Sequence, residues 1–146
     1  MDQVRIFFVA TLLSILPLCA AAQTIEGRLV HVRDADTIEI ATSRGRIAVR
    51  LNGVDSPELD ERGGIAGREW MQRTYGGTML RCQLNGDRTY DRWVGICYGR
   101  GGEDIGAAAI SAGYGRDCPR FSGGRYRQFE TDQSRSIPMK PYCRPR

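Results

Sequence analysis

At 146 residues the chain has room for one ordinary core, and it shows no internal repeat or low-complexity block that would suggest a tandem or fibrous architecture. A formal net charge of +4 suits an anionic partner such as nucleic acid or a membrane surface. A single histidine and the absence of any CxxC pair leave little material for a zinc site.

In chain order, the first expected element is a secretory signal over residues 1–22. Arg5 supplies a short positive start, Ile6 to Leu18 form an apolar run interrupted by Thr11, Ser14 and Pro17, and Ala20, Ala21 and Ala22 offer the small residues of a cleavage site. The run is too short, and its flank too weak, for a membrane span. A lipid anchor at Cys19 is the competing reading, and Leu18 is a poor neighbour for one. The expectation is an exported protein, secreted or periplasmic, with no membrane attachment in its mature form and a single domain over 23–146. Removal of the signal takes away Asp2 and Arg5, which leaves the net charge unchanged.

Three strands are predicted next: Thr24 to Val32, Asp36 to Ala41 and Arg46 to Val54. The turn Thr42-Ser43-Arg44-Gly45 joins the last two. A helical period then carries Ile65, Ala66, Trp70, Met71 and Tyr75, with Gly76-Gly77 as its stop. Two further strands, Thr78 to Leu84 and Arg92 to Tyr98, flank a polar turn. Helices are expected over Asp104 to Ala112 and Arg125 to Gln133, before a proline-rich tail. Five short strands, one helix after the third and two C-terminal helices predict an α+β, mainly β fold, a five-stranded barrel of the oligonucleotide-binding (OB) kind. An α+β sheet with helices on one side is the alternative.

Loss of Cys19 with the signal leaves Cys82, Cys97, Cys118 and Cys143, an even set that in an exported chain reads as two disulfides. Four cysteines allow three connectivities. Pairing the fourth and fifth strands as antiparallel neighbours favours Cys82 with Cys97, which leaves Cys118 to pin the tail through Cys143.

The chemistry concentrates in four places. Asp34 and Asp36 occupy a turn where short carboxylates also serve as ordinary backbone acceptors. Arg50 lies on the strand face opposite Val49 and Leu51. Asp55-Ser56-Pro57-Glu58 follows that strand and could equally be a helix start, with Ser56 as cap and Glu58 as a first-turn acid. Arg92 opens the fifth strand, with Arg88 as a rival for the same role. Two arginines and several carboxylates at one barrel edge suit phosphodiester hydrolysis. Guanidinium groups meet the charge that builds on non-bridging oxygens, a carboxylate handles the attacking water, and a hard cation held by oxygen ligands polarises the phosphate. With one histidine and oxidised cysteines, the mature chain has few other routes to hydrolysis.

Asp34-Ala35-Asp36-Thr37, Val49-Arg50-Leu51-Asn52-Gly53-Val54-Asp55-Ser56-Pro57-Glu58 and Tyr90-Asp91-Arg92 together resemble the staphylococcal nuclease (thermonuclease) family, from about Thr24 to Glu130. The resemblance implies a Ca²⁺-dependent endonuclease on an OB-fold barrel, cutting DNA and RNA to 3′-phosphate and 5′-hydroxyl ends. It implies Asp36, Asp55 and the Ser56 carbonyl as metal ligands, Glu58 as general base, and Arg50 and Arg92 as phosphate clamps. Tyr90 and Phe121 are candidates for stacking on a base of a single-stranded or frayed substrate. Another divalent ion could replace calcium, and a monomer is expected. Two departures from the family pattern matter. Ala35 stands where glycine is usual and would be strained if that position needs positive φ. Asp91 replaces glycine beside Arg92 and could compete with phosphate for its guanidinium. A catalytically impaired barrel that only binds single-stranded nucleic acid is the rival these departures suggest, and a purely structural domain is a second.

Overall fold

The computed structural model of the chain describes residues 23–145, so the signal expected over 1–22, Cys19 included, lies outside the described residues. Strands β1 (Gln23–Asp34), β2 (Thr37–Thr42) and β3 (Gly45–Leu51) come first, followed by a two-residue strand β4 (Val54–Asp55) and helix α1 (Gly64–Tyr75). Strands β5 (Met79–Thr89) and β6 (Arg92–Tyr98) complete a closed barrel in the order β1-β2-β3-β6-β5. Within it β3 and β6 run parallel, and the other neighbours are antiparallel. Helix α2 (Ile105–Ser111), strand β7 (Arg116–Asp117) and helices α3 (Pro119–Ser122) and α4 (Asp132–Ser136) follow, with 3₁₀ turns at Arg127–Phe129 and Pro141–Cys143. The class is α+β, mainly β, and the closed five-stranded barrel with a helix after its third strand is consistent with an OB fold.

Alternation along the strands fills the barrel. Leu29, Ile38, Ile40, Val49, Leu51 and Leu80 are all essentially inaccessible, and Met71 and Tyr75 of α1 and Ile105 and Ile110 of α2 join the same core. Cys82 faces Cys97 across β5 and β6 and is disulfide-bonded to it inside this core. A second disulfide joins Cys118, at the start of α3, to Cys143 in the last turn.

Three elements differ from the sequence-based expectation. The third strand leaves the barrel after Leu51 rather than continuing to Val54. Gly53 takes φ +76°, and a β-carbon there would stand 2.5 Å from Cβ of Ser122. The chain therefore turns outward, and Val54 and Asp55 pair with Asp117 and Arg116 of β7 instead.

Helix α1 is rotated from its expected face, burying Gly64, Gly67, Met71 and Tyr75 while Ile65 is 54% exposed. A β-carbon on Gly64 would sit 1.8 Å from the Glu58 carbonyl oxygen. That half of the seam is backbone against backbone, which hydrophobic periodicity does not register.

The single helix expected over Arg125 to Gln133 is also broken, at Glu130 and Thr131. The Glu130 carboxylate accepts the Asp117 backbone N–H at 3.1 Å, and Thr131 caps α4 by accepting the Ser134 N–H at 3.2 Å. The C-terminal part of the fold is thus α2 followed by the short helices α3 and α4 and two 3₁₀ turns.

Candidate active site

Residues 55–58 are not a helix start. Helix α1 begins at Gly64, Gly63 provides no side-chain cap, and the Ser56 hydroxyl is buried without a partner. The segment is instead the end of β4 followed by irregular chain, outside the barrel ladder. Its geometry is set by Asp36, whose Oδ2 accepts the Ser56 N–H at 2.8 Å. The other Asp36 oxygen accepts the Thr37 hydroxyl at 3.0 Å, and the Asp36 N–H is held at 3.0 Å by Asp34 Oδ1. Asp34 thus serves its turn, and Asp36, 4% exposed, is oriented on every side.

Arg50 ties the two acidic segments together. Its Nη2 lies 3.1 Å from Asp36 Oδ2 and 3.9 Å from Asp55 Oδ1. Its Nη1 donates to the carbonyls of Leu51 at 2.9 Å and Val54 at 2.6 Å, the two ends of the outward turn at Asn52–Gly53. A planar guanidinium can satisfy all of these at once, which a lysine cannot.

Asp36 and Asp55 therefore converge on one cation, but their negative charge exceeds it. Burial, and next the neighbouring Asp36 charge, push the Asp34 carboxyl above its usual range. Burial also raises Asp55, although a hydrogen bond from Tyr142 pulls the other way. The Tyr142 hydroxyl donates to Asp55 Oδ1 at 2.5 Å, and Asp55 Oδ2 is buried with no hydrogen-bond partner. Buried carboxylate oxygens are almost always satisfied, so this oxygen beside a second carboxylate is chemically suited to a cation or a donor.

Above these groups opens a cleft of about 420 Å³, lined among others by Arg50, Glu58, Tyr90, Arg92, Phe121 and Tyr142. Glu58 is exposed at its mouth. Arg92 reaches in from β6, its Nη1 donating at 3.0 Å to the Thr37 hydroxyl that in turn donates to Asp36. Arg88, the rival, lies with its guanidinium carbon 4.6 Å from the Trp93 ring centroid and does not line the cleft. Tyr90 and Phe121 both line it, 91% and 53% exposed. The structure thus gathers Arg50, Glu58, Arg92, Tyr90 and Phe121 around one space, with Asp36, Asp55 and Ser56 buried beside it. A larger hollow of about 820 Å³ lies between α1 and the tail, lined by residues such as Arg62, Tyr114 and Lys140, and none of the expected site residues lines it.

Both departures from the family pattern turn out to be accommodated. Ala35 is not among the residues with positive φ, and it is buried, in line with Gly67 of α1. Asp91 turns away from Arg92 and pairs with Arg33, with Oδ2 2.6 Å from Nη2 and Oδ1 3.0 Å from Nη1. Three contributors were not anticipated. Thr37 links Asp36 to Arg92, Tyr142 holds Asp55, and Glu61 accepts the Glu58 N–H at 2.9 Å. Only Tyr142 had a readable signal, its position next to the cysteine expected to pin the tail beside Phe121.

Among the described residues no three His, Cys, Asp or Glu side chains cluster closely enough to hold a metal by themselves. Two carboxylates, backbone carbonyls and water or a phosphate oxygen would have to share the coordination, which is acceptable to a hard divalent ion.

A protein of Escherichia coli O157:H7 named as an uncharacterized endonuclease is 32% identical over 116 residues, covering 79% of this chain and 68% of its own length. A second Escherichia coli protein of the same name matches with the same identity and coverage. The chain belongs to their family. The succinoglycan biosynthesis protein ExoI of Rhizobium meliloti (strain 1021) is 36% identical over 117 residues, and the match spans 73% of this chain and 59% of ExoI. No model of a known protein family matches the chain.

Proposed function

We propose that this protein is a metal-dependent endonuclease that hydrolyses phosphodiester bonds of DNA and RNA. The observation that carries the reading is the convergence of Arg50, Arg92 and Glu58 on one cleft, beside two buried carboxylates of which one keeps an unpartnered oxygen. The naming of its Escherichia coli family members as endonucleases supports it.

Asp36, Asp55 and the Ser56 carbonyl would hold the cation, for which all-oxygen donors favour Ca²⁺. When bound, the ion supplies charge that polarises the scissile phosphate. Glu58, exposed at the cleft mouth, takes a proton from water as its oxygen attacks phosphorus. Arg50 and Arg92 bind the non-bridging oxygens as they gain charge. The P–O5′ bond breaks, the departing 5′-oxygen takes a proton from water, and the products are a 3′-phosphate and a 5′-hydroxyl. Tyr90 and Phe121, exposed along the cleft, would stack on bases of a single-stranded or frayed substrate. Two observations favour cleavage over a binding-only barrel: Ala35 does not take positive φ, and Asp91 pairs with Arg33.

We further propose export. Two disulfides suit an oxidising compartment, and among the described residues no helix is long and apolar enough to cross a membrane. The test of the activity is incubation with single- and double-stranded DNA and RNA in Ca²⁺, Mg²⁺ or chelator, with end-group analysis of the products. Cleavage that needs a divalent ion and leaves 3′-phosphates supports the assignment. Binding without cleavage under every condition overturns it.

A further inference from the structure

We propose that the C-terminal segment Lys140–Cys143 is a clasp that positions the active site, with Tyr142 setting the Asp55 carboxylate, Lys140 setting the loop that carries Glu58, and the Cys118–Cys143 disulfide anchoring both. The inference rests on the nuclease reading for its chemistry, but its contacts are independent of it. Lys140 Nζ donates to Glu61 Oε1 at 2.6 Å, and the opposite oxygen of the same carboxylate accepts the Glu58 N–H at 2.9 Å. Two residues on, the Tyr142 hydroxyl donates to Asp55 Oδ1 at 2.5 Å. Cys143 follows at once, and its partner Cys118 donates its N–H to the Gly53 carbonyl at 2.9 Å. The clasp therefore closes a ring of contacts: the turn at Gly53, Cys118, Cys143, Tyr142 and back to Asp55.

This ring answers a mechanical problem. Asp55 sits in a two-residue strand outside the barrel, and Glu58 lies in the loop beyond it, so the barrel ladder fixes neither. Apart from Tyr142, the polar neighbour of Asp55 Oδ1 is Arg50 at 3.9 Å, too long for a hydrogen bond. The Tyr142 hydroxyl fixes the rotation of the carboxylate and leaves the unpartnered Oδ2 for a cation. Groups that orient a metal ligand in this way typically carry 10- to 100-fold in metal affinity or activity. Lys140 acts one residue further removed, on the general base's backbone through Glu61. The two halves of the clasp should therefore separate kinetically.

The test compares the full chain with Tyr142→Phe, Lys140→Met and a Cys118→Ala/Cys143→Ala double variant. Calcium affinity is measured by calorimetry, cleavage at saturating calcium by initial rates, and unfolding temperature in chelator. Tyr142→Phe keeps the aromatic ring and should weaken calcium binding about 10-fold, more than any accompanying fall in unfolding temperature accounts for. Lys140→Met should lower kcat while leaving calcium affinity alone. The cysteine double variant, which retains Cys82–Cys97, should show both losses, and so should selective reduction of the tail disulfide. Wild-type calcium affinity in Tyr142→Phe, or a loss that merely follows a lower unfolding temperature, overturns the role of Tyr142. An unchanged kcat in Lys140→Met overturns the role of Lys140. A wild-type protein that binds calcium but cuts nothing sinks the nuclease reading while the affinity comparison still decides the Tyr142 contact; one that binds no calcium sinks both.

Discussion

Replacing Tyr90 by glycine should separate stability from substrate binding. Among the described residues Tyr90 is the one non-glycine with positive φ, at 56°, and it is 91% exposed. The left-handed conformation costs a non-glycine residue about 1–2 kcal/mol, and an exposed ring recovers almost none of this by burial. The Arg92 guanidinium carbon stands 5.7 Å from its ring centroid, an exposed cation–π contact of about 0.5 kcal/mol. Glycine removes the strain and that contact, and adds about 0.5–1 kcal/mol of backbone freedom to the unfolded chain. The contributions nearly cancel, so urea unfolding of Tyr90→Gly should show stability unchanged or raised by less than about 1 kcal/mol. If the ring stacks on a base at the cleft, its loss should cost about 1–3 kcal/mol of binding, or roughly 5- to 150-fold in KM for a single-stranded oligonucleotide. Tyr90→Phe should preserve KM. Strain at an exposed aromatic residue lining a cleft is what a functional constraint leaves behind. A Tyr90→Gly protein destabilised by well over 1 kcal/mol, or one with wild-type KM, refutes this account.

Further outcomes follow from the same geometry. Glu58→Gln should lower single-turnover cleavage by about 10²- to 10⁴-fold while fluorescence anisotropy still detects nucleic-acid binding. Arg50→Lys should be comparably inactive, because lysine cannot span Asp36 and the carbonyls of Leu51 and Val54 while also gripping phosphate. Removing the Cys82–Cys97 bridge, whose cysteines are 15 residues apart, should cost about 3 kcal/mol in urea unfolding without moving calcium affinity. Glu39 lies 2.8 Å from Arg33 and 3.1 Å from Arg46, and the Arg33 hydrogen bond holds its carboxyl below the usual glutamate range. A depressed folded-state value stabilises the protein above the unfolded carboxylate range of about 4.3 and is lost as pH falls through the folded value. Acid titration of Glu39→Gln should therefore show a shallower loss of stability below about pH 4 than wild type.

The strands were legible in the sequence because alternation has a period of two and most core-facing positions carry a large apolar side chain. Ile38, Ile40, Val49, Leu51, Leu80 and Leu84 announce the barrel before any coordinate does. Helix α2 was equally plain from its alanine-rich run ahead of Gly113, and the structure adds that the Asp104 carboxylate caps it. The ionisable groups of the candidate site could be named because the proposed phosphodiester chemistry restricts the side chains that would serve it, and Arg50, Asp55 and Glu58 lie within one short run.

What pattern could not show is anything carried by backbone approach or by partners distant in the chain. The glycine seam of α1 has no side chains to count, and the outward turn at Gly53 depends on Ser122 packing against it. Whether Asp91 obstructs Arg92 depended on Arg33, a residue on another strand. The bond from Tyr142 to Asp55 spans 87 residues of sequence and exists because a disulfide and the β4–β7 pairing bring the two together. Local sequence determines which groups are available and which strands form. Only tertiary closure decides which oxygen is left without a donor, because that depends on every neighbour the folded chain supplies.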